Sequence, residues 1–273
     1  MINIIFALLL FCLYFNSMAA STDKLRRAIV VGSSGATGRE VVKELINRKW
    51  EVTTISRSKM EFPLSETTHQ EAKLIQIVSN FSSLDDYVSQ CNGFDAMFNC
   101  LGTTRGQAGS ADAFVAVEVG LTKKACDFAK KAGVRHVGVV SAQGANKDVW
   151  VPTTLIHPFL YTRTLGEKQQ TVLDAGFAST TVFQPGLLNR LMGDRLWENV
   201  AVALVPGISL GVDILAKAMV KDAETKLNSL DNSANMPKIE SESVASDQQT
   251  CTGGSSSLVS FFTGNYNIAE AAK

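Results

Sequence analysis

Three glycines at the spacing G-x-x-G-x-x-G, Gly32, Gly35 and Gly38, follow the apolar run Ala28-Ile29-Val30-Val31 and stand directly before a helical pattern. A strand that turns through glycines into a helix leaves the first helical N–H groups aimed at whatever fills the turn. Gly32 supplies backbone angles that a Cβ forbids, Gly35 admits a ligand close to the main chain, and Gly38 lets the helix pack tightly on the strand. The partial positive charge of a helix start suits a pyrophosphate. This is the logic of dinucleotide binding, at a spacing other than G-x-G-x-x-G.

Two further positions carry chemistry on their own account. Arg57 stands at the end of the β-branched run Glu51-Val52-Thr53-Thr54-Ile55-Ser56, and residues 55–60 contain no acid. A carboxylate there would hold the ribose 2′-OH of NAD, whereas an arginine accommodates the 2′-phosphate of NADP. The run Asp95–Cys100 ends in Leu101-Gly102-Thr103-Thr104. Its glycine and hydroxyls either line the nicotinamide-side ribose or shape a loop and cap the next helix.

The elements that must position these groups alternate. Val41, Val42, Leu45 and Ile46 predict a helix over 36–48, followed by strands at 51–56 and 73–78. A short helix over 84–91 and a strand at 95–100 come next. Phe114, Val117, Leu121, Ala125 and Phe128 then mark one face of a helix over 110–132 that Gly133 ends. A strand at 134–140, a helix over 159–174 and a strand at 179–183 continue the pattern. Alternation of this kind predicts an α/β, doubly wound, mostly parallel sheet with helices on both faces, the Rossmann fold. The domain is expected over 26–225, with a last helix at 212–220. Residues 228–257, rich in Ser, Asn, Asp, Gln and Gly, read as a flexible low-complexity loop, and 258–273 as a segment docking back on the domain.

Composition narrows the classes of function. Lys+Arg and Asp+Glu are both 26 in a chain of 273 residues, and no basic stripe argues for a nucleic-acid partner. Cysteines 12, 91, 100, 126 and 251 form no C-x-x-C and read as small buried hydrophobes, not as disulfides or zinc ligands. With only His69, His136 and His157, no metal site is expected. Ile4 to Phe15 is an unbroken apolar run of 12 residues followed by small residues at 17, 19 and 20. That is the length of a signal-peptide core, so residues 1–20 are expected to direct the chain into the secretory pathway or endoplasmic reticulum. The alternatives are a membrane anchor through 4–15 that leaves the domain facing the cytosol, which Lys24, Arg26 and Arg27 favour, or an organelle.

Gly32-Ser-Ser-Gly-Ala-Thr-Gly38, Ile55-Ser-Arg57, Cys100-Leu-Gly-Thr-Thr-Arg105-Gly, Ser141-Ala-Gln-Gly-Ala145, Phe159-Leu-Tyr161 and Phe183-Gln-Pro-Gly-Leu-Leu188 together resemble the HIV-Tat-interacting oxidoreductases, an atypical branch of the short-chain dehydrogenases/reductases. The resemblance covers about 26–225 and weakly 258–272. It implies bound NADPH, with Ser34, Gly35, Ala36 and Thr37 at the pyrophosphate and Arg57 at the 2′-phosphate. Leu101 and Gly102, with Thr103 beside them, would line the ribose and nicotinamide, and Leu188 the far side of that ring. Tyr161 falls on the family's catalytic tyrosine, with Ser141 as its hydrogen-bond partner.

One departure bears on turnover. A tyrosine with an ordinary pKa near 10 needs a neighbouring cation to favour its phenolate. The family's lysine four residues after the tyrosine is Leu165 here. Lys168 shares the helix face but stands about 10 Å further along the axis, and Arg163 points the opposite way, so neither is expected to replace it. The stretch 146–158, longer than the family's connection, is expected to form a lid or to displace Tyr161. The sequence therefore predicts an NADPH-dependent oxidoreductase acting on a small carbonyl compound, or a catalytically degenerate NADP-binding sensor.

Overall fold

The computed structural model describes residues 25–62, 73–151, 158–189, 209–235 and 257–273. Seven parallel strands form its sheet: β1 (Arg27–Val31), β2 (Glu51–Ser56), β3 (Leu74–Val78), β4 (Ala96–Asn99), β5 (His136–Val140), β6 (Ser179–Gln184) and β9 (Leu258–Thr263). Their order is β3-β2-β1-β4-β5-β6-β9, so the chain runs outward from β1 to one edge, crosses back and fills the other side. This is a doubly wound Rossmann sheet, and the reversal between β1 and β4 opens a crevice at the carboxyl ends of those strands. Ala28, Ile29, Val30 and Val31 are all fully buried, as a strand covered on both faces must be.

Two layers of helix cover it. On one face α1 (Ala36–Asn47) turns Val41, Val42, Leu45 and Ile46 onto the sheet and against α6 (Val212–Asn235). Each of those four side chains, fully buried, contributes roughly 1.5–3 kcal/mol. On the other face lie α4 (Leu121–Lys131) and α5 (Pro158–Asp174), whose Ala125, Phe128 and Val172 pack with Met97, Val137 and Val182. Ahead of α4, the short helices α2 (Arg105–Ala108) and α3 (Ala111–Val115) are followed by a π-helical segment, Ala116–Gly120.

The element order expected from the sequence is present, with four differences. Residues 84–91 form two 3₁₀ turns, Leu84–Tyr87 and Ser89–Cys91, in place of a helix. The helix expected over 110–132 carries the π segment inside it. Leu187–Asn189 (β7) and Ser209–Gly211 (β8) pair in a small separate sheet that periodicity did not announce. Finally, α6 runs on to Asn235, so the first residues of the segment expected to be a loop over 228–257 are helical. Asp231 holds that turn to Arg26 and Arg135 at 2.7 and 2.6 Å, while the Ser229 and Ser233 hydroxyls donate to the carbonyls of Thr225 and Ser229. Residues 236–256 of that segment lie outside the described residues, as does 1–24 with its apolar run. The C-terminal segment completes the sheet as β9 and closes with α7 (Asn265–Ala272), whose Ile268 is buried in the α1–α6 layer.

Candidate functional site

The turn from β1 into α1 is built by two close approaches of backbone to backbone. Gly32 has φ of 78°, and a Cβ there would sit 2.7 Å from the Cys100 carbonyl. A Cβ on Gly38 would collide with the Gly32 carbonyl oxygen and come within 2.8 Å of Ser33 Cα. Gly35 is the helix N-cap, in extended conformation, and no side chain caps the helix. The first turn of α1 contains no acidic residue either. Helical N–H groups left uncapped, beside a backbone that a ligand can approach, fit a pyrophosphate.

Two adjoining cavities flank this turn and share Gly35, Leu101, Gly102 and Thr103. The larger, ≈ 570 Å³, runs toward β2 and β3 and is lined by Ser34, Ser56, Arg57 and Phe81. Ser56 is buried and donates from Oγ to the Ser58 carbonyl at 2.6 Å, while the Gln76 amide bonds both backbone groups of Met60 at 2.8 Å. These contacts fix the loop that carries the exposed Arg57 at the cavity rim.

The smaller cavity, ≈ 160 Å³, lies toward β5 and α5. Ala36, Thr37, Ser141, Tyr161, Leu165, Lys168 and Leu188 line it. Tyr161 is 40% exposed, and its ring stacks on Phe114 with centroids 6.1 Å apart. Leu165 is buried in the wall one turn along. Ser141 is tied to the same helix: its hydroxyl accepts from Gln169 Nε2 at 2.6 Å and donates to the Leu165 carbonyl at 3.5 Å. Gln169 accepts in turn from Gln184 at 3.2 Å, and Gln184 from Thr263 at 2.5 Å, so a polar chain fixes Ser141 from the last strand of the sheet.

Lys168 is placed differently from the sequence expectation. It is 1% exposed and reaches the same cavity as Tyr161, where its ammonium donates to the Leu101 carbonyl at 2.5 Å and to Glu118 at 3.0 Å. The cavity extends along α5, so Lys168 lines it although it stands about two helical turns from Tyr161. Arg163 pairs instead with Glu167 at 2.8 Å. Glu118 was overlooked, although its signal was present: it lies four residues after Phe114 on the stripe that faces the core, where a carboxylate needs a partner. Its other oxygen accepts the Thr103 N–H at 2.7 Å. The loop Leu101–Thr103 is thus held by both members of a buried ion pair.

The remaining titratable groups are structural. Burial pushes the Cys100 and Cys126 thiols up to about 12 and Cys91 to about 11. None is a nucleophile at neutral pH. Among the described residues no group of three or more His, Cys, Asp or Glu is arranged to hold a metal ion. His157 and the centre of the expected lid, 152–157, lie outside the described residues.

Fold and groove define a dinucleotide-binding α/β protein. A family model described as NAD(P)H-binding matches residues 32–190, more than half of the sequence, and the chain belongs to that family. It is an NAD(P)-binding Rossmann domain related to HTATIP2-like and FMP52-like oxidoreductases of the short-chain dehydrogenase/reductase superfamily. Protein HTATIP2 of Rattus norvegicus is 34% identical over 60% of this chain and 63% of its own length, so the match spans less than two thirds of that relative. The mitochondrial protein FMP52 of Candida albicans is 29% identical over 61% of this chain and 67% of its own. Among solved structures, MoeE5 in complex with UDP-glucose and NAD superposes with a TM-score of 0.56 at 18% identity, covering 73% of this chain and 72% of that one. The UDP-N-acetylglucosamine 4-epimerase of Bacillus cereus gives 0.55 at 18%, covering 74% of each chain. At that identity they attest the fold alone.

The relatives correct one expectation. The FMP52 proteins are named as mitochondrial, against the secretory or endoplasmic-reticulum destination read from the apolar leader. A hydrophobic stretch of signal-peptide length does not by itself select a compartment. Among the described residues no helix is long and apolar enough to cross a membrane.

Proposed function

We propose that this protein binds NADP(H) as a sensor or regulatory ligand, with a catalytic set altered away from efficient turnover. The pyrophosphate would lie on the N-terminus of α1 at Ser34–Thr37, the 2′-phosphate at Arg57, and the nicotinamide half in the smaller cavity between Leu101–Thr103 and Leu188. The exposed Arg57, with no acid among residues 55–60, favours NADP, although the solved structures with a named cofactor hold NAD. The observation that carries the regulatory reading is the wall beside Tyr161. An apolar, buried Leu165 stands one helical turn away, and the Ser141 hydroxyl already donates to the Leu165 carbonyl. Position 165, one helical turn from the phenol, thus carries no cation to favour its ionised form.

A second reading, reduction of a small carbonyl compound, rests on Tyr161 and Ser141 lining one cavity with Gly102 and Leu188. Bound NADPH supplies a hydride to a carbonyl carbon. Tyr161 would give its proton to the carbonyl oxygen, and Ser141 would have to release the Leu165 carbonyl to hold that oxygen. The phenol regains its proton from solvent, so one carbonyl, one hydride and one proton give one alcohol.

Turnover on a panel of aldehydes and ketones separates the two. The regulatory reading expects NADPH binding with negligible oxidation by the wild type and a measurable rate in Leu165→Lys. A wild-type rate that vanishes in Tyr161→Phe would overturn it in favour of the enzyme. The names of the FMP52 relatives support an organellar, mitochondrial location, to be checked by fractionating cells that express the tagged chain.

A further inference from the structure

The buried pair Lys168–Glu118 has no part in the pyrophosphate turn and none in the set Ser141–Tyr161, yet both residues line the smaller cavity. Their side chains are 2% and 3% exposed. A buried ion pair is costly to desolvate, and an apolar pair of similar volume is often as stable or more so. Glu118 sits within the π-helical segment Ala116–Gly120, and such single-turn widenings inside helices concentrate at functional sites. The extra residue in the turn lets the carboxylate enter the core beneath the loop that follows β4.

All of the pair's contacts converge on that loop. Lys168 donates to the Leu101 carbonyl and Glu118 accepts from the Thr103 amide, one on either side of Gly102. An ammonium has three N–H bonds. Two are accounted for by Leu101 and Glu118, and among the described residues the third has no partner. It belongs to a side chain that forms part of a cavity wall, with Tyr161 and Leu165 on the same helix.

We propose that Lys168, held by Glu118, is the cation of the nicotinamide half of the site, and that it offers its third N–H to the hydroxyls of the nicotinamide-side ribose. This inference rests on the NADP(H)-binding reading and deepens it. Position 165, where the family that the sequence resembles has a lysine, is leucine here, and Lys168 takes up the ribose from the same helix. The cofactor is gripped at both ends, whether or not it is turned over.

The experiment compares two ligands that differ only in the nicotinamide half. NADPH and 2′,5′-ADP are titrated calorimetrically into wild-type protein and into Lys168→Met/Glu118→Gln. The double substitution removes both charges at once, so no unpaired ion is left buried, and the glutamine oxygen still accepts from Thr103. The variant is expected to hold 2′,5′-ADP within twofold of wild type while NADPH weakens about tenfold or more, the size of a hydrogen bond from a charged donor. Lys168→Arg, which keeps the charge, should recover part of the loss. Unchanged NADPH affinity in the double variant overturns the inference and leaves the pair a structural one. Equal weakening of both ligands also overturns it, because damage to the fold would act on both halves. Wild-type protein that binds neither ligand sinks the NADP reading itself, and the inference with it.

Discussion

The two ends of the groove are made of different material. At the end proposed for the pyrophosphate the surface is backbone: the Gly32 turn, the uncapped start of α1, and the packing of Gly38 against the Gly32 carbonyl. At the end proposed for the nicotinamide it is side chain: Tyr161, Leu165, Lys168 and Ser141 on or against one helix, with Glu118 reaching in from another. A backbone site tolerates no variation at its glycines but any residue that fits between them. A side-chain site can lose one member and recruit another from a neighbouring turn. On the proposed reading, this difference would let one chain keep its glycine turn intact while leucine stands at 165.

The harshest way to break this contrast is at Gly38. Gly38→Ala places a methyl group against the Gly32 carbonyl, on backbone that cannot move without shifting β1. NADPH affinity is expected to fall more than about a hundredfold, with a loss of stability of several kcal/mol by overpacking, on the order of 1–3 or more. Calorimetric titration and a urea melt read the two effects. A variant that binds and melts like the wild type would show that the turn is not a backbone site at all.

A smaller effect sharpens the comparison within the larger cavity. On the proposed reading Arg57 is a side chain serving the backbone end, and its loss should cost specificity and spare the turn. Arg57→Ala is expected to weaken NADPH about tenfold and leave NADH within twofold, the loss of one charge-assisted contact to a phosphate. An unchanged NADPH-to-NADH ratio would remove the 2′-phosphate from Arg57.

The same contrast decides what could be read before the fold was known. The sheet, its helices and the pyrophosphate turn follow from local pattern: buried β-branched runs, glycines at fixed offsets, and a helix face at Val41, Val42, Leu45 and Ile46. Local pattern also gave Arg57 a place at the end of β2. The Lys168–Glu118 pair joins residues 50 apart in sequence, and its formation depends on a π-helical turn that no periodicity announces. Judging Lys168 from axial distance alone treated the cavity as a point beside Tyr161, whereas it extends along α5 to both residues. The continuation of α6 to Asn235 was hidden for a related reason. Its last turns, mostly polar apart from Leu230, are tied down by Arg26 and Arg135, residues distant in sequence.

A third polar arrangement, far from the groove at the start of β5, supplies a contrast to both ends and the mildest effect. His136 is fully buried, with Nδ1 3.0 Å from the Ser179 hydroxyl and Nε2 3.9 Å from Asp222. Burial, with Lys226 adding to it, lowers its pKa to about 3, while burial raises that of Asp222. The folded protein therefore keeps His136 neutral where an unfolded chain, at about 6.5, would take a proton. Its contribution to stability is complete above pH 6.5 and declines by about 1.4 kcal/mol per pH unit as the pH falls toward 3. Urea midpoints of the wild type and His136→Leu at pH 7, 5 and 4 test this. The variant should be somewhat less stable at pH 7, through the unpaired Ser179 hydroxyl, and should close the gap as acid is added. Parallel curves would mean that the histidine titrates alike in both states. A closing gap would also separate two causes of weaker NADPH binding in acid. Loss that tracks the urea midpoint belongs to the fold at His136, and loss that remains in His136→Leu belongs to the groove.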